Sequence, residues 1–189
     1  HTAGSGTYFR EFLREQMTTW CKKNKKPDGT NYNLYKDGLK IYTTINSRMQ
    51  SHAEAAVKEH LRTLQKDFFN HWKGMKTAPF YGITEAKAKM IIRQGMTRSD
   101  RYRRLKADGA SEAEIEKVFN TKVKMKIFTW NGDSTVTMSP WDSVRYHKFF
   151  LQTGLMSVEP QTGYIRAWVG GINQKYFQYD HVYSGKRQV

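Results

Sequence analysis

Chemistry in this 189-residue chain would have to start from six histidines, one cysteine, its hydroxyls and its charged clusters. His52, His60 and His71 are eight and eleven residues apart, which misses the paired spacing that places two imidazoles on one helix face around zinc. Cys21 stands alone, so neither an intramolecular disulfide nor a cysteine-rich metal site can form. His147 has no serine or cysteine nucleophile motif nearby, and a packed or surface histidine is the simpler reading. His181 follows Asp180, but sequence neighbours seldom turn their side chains toward each other, so this pair also reads as structural. Glu159 and Asp142 cannot be assigned as a glycosidic acid–base pair, since paired carboxylates arise by chance in any domain. There is no G-x-x-x-x-G-K and no G-x-G-x-x-G, so no phosphate-cradling loop is expected. The residues therefore assign no catalytic group, no metal site and no cofactor.

Charge is the more informative feature. Lysine and arginine total 32 against 17 acids, a net charge of +15, and such a field attracts polyanions over long range. The densest cluster is Lys87, Lys89, Arg93, Arg98, Arg101, Arg103, Arg104 and Lys106, with Glu85 and Asp100 as local counter-charges. Arg98, Arg101, Arg103, Arg104 and Lys106 are the candidates for binding an anionic partner, either an anionic membrane surface or a regulatory protein. The competing reading is a solvated helix face. Tyr102 lies among the arginines, a mixture that could stack bases. No zinc-finger spacing, basic zipper or RNP-type strand accompanies it, so a nucleic-acid partner is disfavoured.

These residues need elements to hold them. Phe9, Phe12, Leu13, Met17, Trp20 and Cys21 recur at helical spacing over 8–23, and 24–38 is rich in turn formers. The alternation of Leu39, Ile41 and Thr43 with Lys40, Tyr42 and Thr44 predicts a half-buried strand. Asn46 or Ser47 then caps a helix of about seven turns reaching Trp72. Two or three short helices are expected over 84–120, with Ser111 and Glu114 forming a capping box. A hairpin follows, 125–130 and 135–138 about a turn at 131–134. Ser139-Pro140 opens a helix reaching Leu151 and stopped by Gly154, and a second hairpin pairs 155–159 with 164–169. With 38% hydrophobic and 14% aromatic residues the chain can build a core. It holds neither an apolar run long enough to span a membrane nor the blocks of a signal peptide. Whether the small, polar residues 1–6 are native linker is open. The expected class is α+β: short antiparallel hairpins and several helices, including a basic helical insert.

Two segments carry a family resemblance. Gly38-Leu39-Lys40-Ile41-Tyr42-Thr43-Thr44-Ile45-Asn46, followed by Met49-Gln50 and an alanine-rich stretch, resembles the strand and helix that open the transpeptidase region of class A, bifunctional penicillin-binding proteins. Asn46 stands there for the usual aspartate, and either residue caps a helix. Pro160-Gln161-Thr162-Gly163-Tyr164-Ile165-Arg166-Ala167-Trp168-Val169-Gly170-Gly171, then Phe177, then Lys186-Arg187-Gln188-Val189, is similar to that family's D-P-x-T-G-x-I-x-A-x-V-G-G hairpin and the segment leading to its nucleophilic serine. Glu159 and Val189 depart from the family's aspartate and proline.

The resemblance implies a parent that polymerises lipid-linked glycan and cross-links stem peptides through a serine acyl-enzyme, and so binds penicillin. It implies the periplasmic face of an inner membrane, anchoring by an N-terminal segment absent here, and peptidoglycan strands or the lipid-linked precursor as partners. The serine would fall two residues past Val189, and S-x-x-K, S-x-N and K-T-G are absent from the 189 residues, so the chain alone is expected to be non-catalytic. Gly170, Gly171, Phe177, Arg187 and Gln188 would form the substrate-approach loop. The implied organisation is a linker and core opening over 1–63, an accessory insert over 64–146, and a core hairpin and loop over 147–189. The alternative is a stand-alone basic module that binds anionic lipid, cell-wall polymer or a protein.

Overall fold

The computed structural model describes residues 4–184. Its elements are α1 (Thr7–Lys23), α2 (Ser47–His71), α3 (Glu85–Thr97), α4 (Asp100–Ala107), α5 (Glu112–Asn120), β1 (Val123–Thr129), β2 (Gly132–Met138), α6 (Pro140–Lys148), β3 (Leu155–Val158) and β4 (Ile165–Val169). The class is α+β, with each pair of strands forming a two-stranded antiparallel sheet. The chain divides into two compact units, one made of 1–60 with 152–189 and the other of 61–151.

In the discontinuous unit, β3 and β4 pair from Leu155↔Val169 to Ser157↔Ala167, with a bulge at Val158. The aromatic side of α1 packs on β4: Phe12 stacks on Trp168 at 5.0 Å between ring centroids, and Phe9 lies at 5.9 Å. Ala167, Trp168 and Val169 are buried accordingly, as expected where large rings supply most of the apolar contact. Asn46 caps α2 through its Oδ1, which accepts from the N–H groups of Arg48 and Met49 at 3.1 Å.

The strand expected over 39–44 does not form. Its alternating pattern is present, yet Ile41 and Tyr42 are exposed, and the segment meets β4 only at its end. The Thr44 hydroxyl donates to the Ile165 carbonyl at 2.8 Å, and Asn46 N–H to that of Arg166 at 2.9 Å. Alternation supplies a face, but a strand also needs a row of backbone partners, and here only its last residues find one.

In the 61–151 unit, Met96, Ile115 and Phe119 from α3 and α5 form a core joined by Tyr102, Leu105 and Trp141. A Cβ on Gly95 would sit 2.8 Å from Val144 Cγ1, so α3 and α6 approach at a distance only glycine permits. Phe69, Phe128, Tyr146 and Phe150 make an aromatic cluster, with Phe150 edge-on to the other three at 5.0–5.8 Å. The capping box of Ser111 and Glu114 is present. The β1–β2 hairpin is tighter than its sequence suggests: Trp130 and Asn131 form the turn, and Asp133 and Ser134 belong to β2.

The helix after Pro140 ends at Lys148, short of Leu151. Gln65 is the reason. Its buried amide donates to the Phe149 carbonyl and accepts from Leu151 N–H, both at 2.8 Å, which engages groups that further helical turns would use.

Candidate functional site

Of the residues expected to form an approach loop, Gly170, Gly171 and Phe177 lie in the discontinuous unit, after β4. Gly170 and Gly171 are buried, and the reason for glycine is space. A Cβ on Gly170 would lie 2.4 Å from Asp180 Oδ1 and 2.8 Å from Tyr8 Cγ, and one on Gly171 would lie 2.5 Å from the Tyr8 hydroxyl. Tyr8 donates that hydroxyl to the Phe177 carbonyl, and burial pushes its pKa well above the ordinary phenol range. Phe177 itself closes a turn by donating its N–H to the Asn173 carbonyl at 2.8 Å.

Asp180 organises the far side of the loop. Its Oδ2 accepts from Trp168 Nε1 at 2.8 Å, while Oδ1 accepts from the N–H groups of Val182 at 2.9 Å and Tyr183 at 3.2 Å. His181 N–H donates to the Gly170 carbonyl at 2.8 Å, and its ring meets Tyr179 edge-on. Asp180 therefore serves Trp168 and the backbone. Arg187 and Gln188 lie outside the described residues. Gly170, Gly171 and Phe177 come together beneath Tyr8, and this tyrosine gave no signal in the sequence beyond its place on an amphipathic helix.

The turn of the β3–β4 hairpin carries a second network. Arg166 Nη2 pairs with Glu159 Oε2 at 2.9 Å, the Thr162 hydroxyl donates to the same oxygen, and Arg166 Nη1 reaches the Thr44 carbonyl at 3.3 Å. The hydroxyl of Thr162, and after it the Arg166 guanidinium, hold the Glu159 carboxyl below its usual range. Gln50 completes the link. Its Oε1 accepts from Trp168 N–H at 2.7 Å and its Nε2 donates to the Trp168 carbonyl at 2.9 Å. Segments 44–50 and 162–171, more than a hundred residues apart in the chain, are thus bonded backbone to side chain.

Among the described residues, the serine–carboxylate contacts serve structure. Ser111 with Glu114 and Ser139 with Asp142 are helix caps, and Ser5 donates to Glu54, whose other oxygen accepts from Gly6 N–H and Gln50 Nε2. Among the described residues, no three histidine, cysteine, aspartate or glutamate side chains are grouped to hold a metal. His147 Nδ1 lies 2.8 Å from the Ser143 carbonyl, which can only accept, so this nitrogen carries the proton. Burial lowers the pKa of its ring.

The basic candidates are on α4 and at the end of α3, in the 61–151 unit. Arg103 pairs with Asp100 and Lys106 with Glu112, each at 2.7 Å, and the Tyr102 hydroxyl also donates to Glu112. These contacts are exposed and contribute little to stability, but they engage two of the five candidate cations with local carboxylates. Arg98, Arg101 and Arg104 are exposed.

No significant match exists among curated proteins or solved structures. Residues 75–151 match the penicillin-binding protein middle domain. That span falls between the two segments whose motifs resemble a transpeptidase region and covers most of the continuous unit. The residues it covers supplied no resemblance of their own, so it is independent of those motifs. The match supports a relation of this chain to penicillin-binding proteins.

Proposed function

We propose that the chain is the middle portion and transpeptidase opening of a class A penicillin-binding protein, a membrane-anchored peptidoglycan glycosyltransferase and D-Ala-D-Ala transpeptidase. The observation that carries this reading is the Gln50 clamp on Trp168 together with the Thr44 and Asn46 bonds to β4. They unite the two motif-bearing segments that flank, in sequence, a middle domain that matches the family on its own. In this reading the 170–184 loop, pinned by Tyr8 and Asp180, scaffolds the approach to a serine supplied by the rest of the enzyme. Its residues position and do not react.

Fluorescent penicillin tests the proposal. The 189-residue chain is expected to remain unlabelled, while the natural full-length protein acquires one hydroxylamine-sensitive acyl adduct on a serine. Labelling of the short chain, or a full-length protein that takes no label, would overturn it.

A further inference from the structure

A second row of cations in the 61–151 unit lies on the β1–β2 hairpin. Lys122, Lys124 and Lys126 are exposed, while Val123 and Met125, alternating with them, are half-buried and Ile127 is buried. The register sets Lys124 opposite Thr137 and Lys126 opposite Thr135, and both threonines are exposed. One face of the hairpin is therefore a lysine row about 7 Å in repeat, flanked by short hydroxyl side chains. Among the described residues none of these lysines takes part in an ion pair. The only acid in the hairpin, Asp133, is next to the turn, opposite Phe128.

The edge of β2 is the second observation. The sheet has two strands, and no backbone hydrogen bond joins residues 134–138 of β2 to any described segment other than β1. β1 has more support, since α6 lies against it and the Tyr146 hydroxyl donates to its Phe128 carbonyl at 2.9 Å. No residue of β2 is buried. At Thr135 and Thr137 its outer side thus presents backbone N–H and C=O groups to solvent, an arrangement that accepts another extended chain.

The two observations select one kind of occupant. A second copy of this hairpin would bring its own lysines to the same face, so like-charge repulsion disfavours self-pairing. A strand with carboxylates at every second residue has the matching period. Placed beside β2 it lies about 10 Å from β1, two strand spacings, across threonines short enough for lysine and glutamate side chains to reach over.

We propose that the β1–β2 hairpin is a docking edge for an extended acidic segment of a partner protein, which adds to β2 as a third strand and sets its alternate carboxylates against Lys124 and Lys126. The inference does not depend on the enzymatic reading above. It also differs from the α4 arginines as an anionic site, because it requires backbone pairing as well as charge.

The test is an amide-resolved NMR titration of the chain with acetyl-Glu-Thr-Glu-Val-Glu-Thr-Glu-amide. Expected are shifts centred on residues 133–138 with slowed amide exchange there. Affinity should fall on the order of tenfold in Lys124→Glu/Lys126→Glu, whose exposed positions leave the fold intact. The same peptide N-methylated at alternate residues keeps its charge but cannot pair, and should bind at least as weakly as the parent peptide does to that double variant. Absence of binding by the parent peptide overturns the proposal, as does equal binding of the N-methylated peptide. So does a response confined to phosphatidylglycerol vesicles, which would make the lysines a membrane contact.

Discussion

Gln50 and Gln65 do with side chains what a neighbouring strand does with its backbone. Each buried amide presents a donor and an acceptor side by side, Gln50 to both polar groups of Trp168 and Gln65 to the Phe149 carbonyl and the Leu151 N–H. They are 2% and 1% exposed, so water cannot replace them. Gln50→Leu has nearly the right volume but leaves two buried backbone groups of β4 unpaired, and should cost about 2–4 kcal/mol. Chemical denaturation of the chain would show this as a lower midpoint with unchanged slope, and a cost below about 0.5 kcal/mol would refute the clamp. Neither glutamine was singled out for this role from sequence, although Gln50 lies inside a recognised motif. An amide on a helix carries no mark of which backbone it will face.

At the scale of the element, α6 was legible at its start and not at its end. Ser139 at the cap and Pro140 after it fix the N-terminus chemically, whereas the C-terminus depends on Gln65, a residue far away in the chain. The same helix carries His147, held neutral by burial. Its folded pKa lies below the unfolded value of about 6.5, so on acidification the unfolded chain takes up a proton that the folded chain refuses. Stability is therefore full above that unfolded value, falls as the pH drops below it, and levels off once the folded imidazole also protonates. His147→Gln should flatten the decline in melting temperature between about pH 7 and pH 5.5. An unchanged decline in the variant would remove His147 as its cause.

At the scale of the whole molecule, the 61–151 unit is continuous in sequence and has its own core of Met96, Ile115 and Phe119. Expressed alone, it should give dispersed amide resonances and one cooperative thermal transition. A collapsed spectrum would show that its core is insufficient by itself. The other unit is built from both ends of the chain, and its β4 depends on partners from 8–12 and 44–50. Removing residues 4–23 should therefore broaden the resonances of 165–171, where Trp168 loses the rings of Phe9 and Phe12.

The sequence by itself determined the helices, because helical periodicity and capping are local: Ser111 with Glu114 and Ser139 with Pro140 act within one turn. It also determined both hairpins and the α+β class, through alternation and turn residues, and it placed the motifs that now flank a matched middle domain. Only the tertiary structure decided that 39–44 stays outside any strand, since a ladder needs a partner row that no local pattern encodes. It likewise decided why Gly170 and Gly171 must lack side chains. Tyr8 and Asp180 occupy that space from opposite directions along the chain, and only folding brings them there.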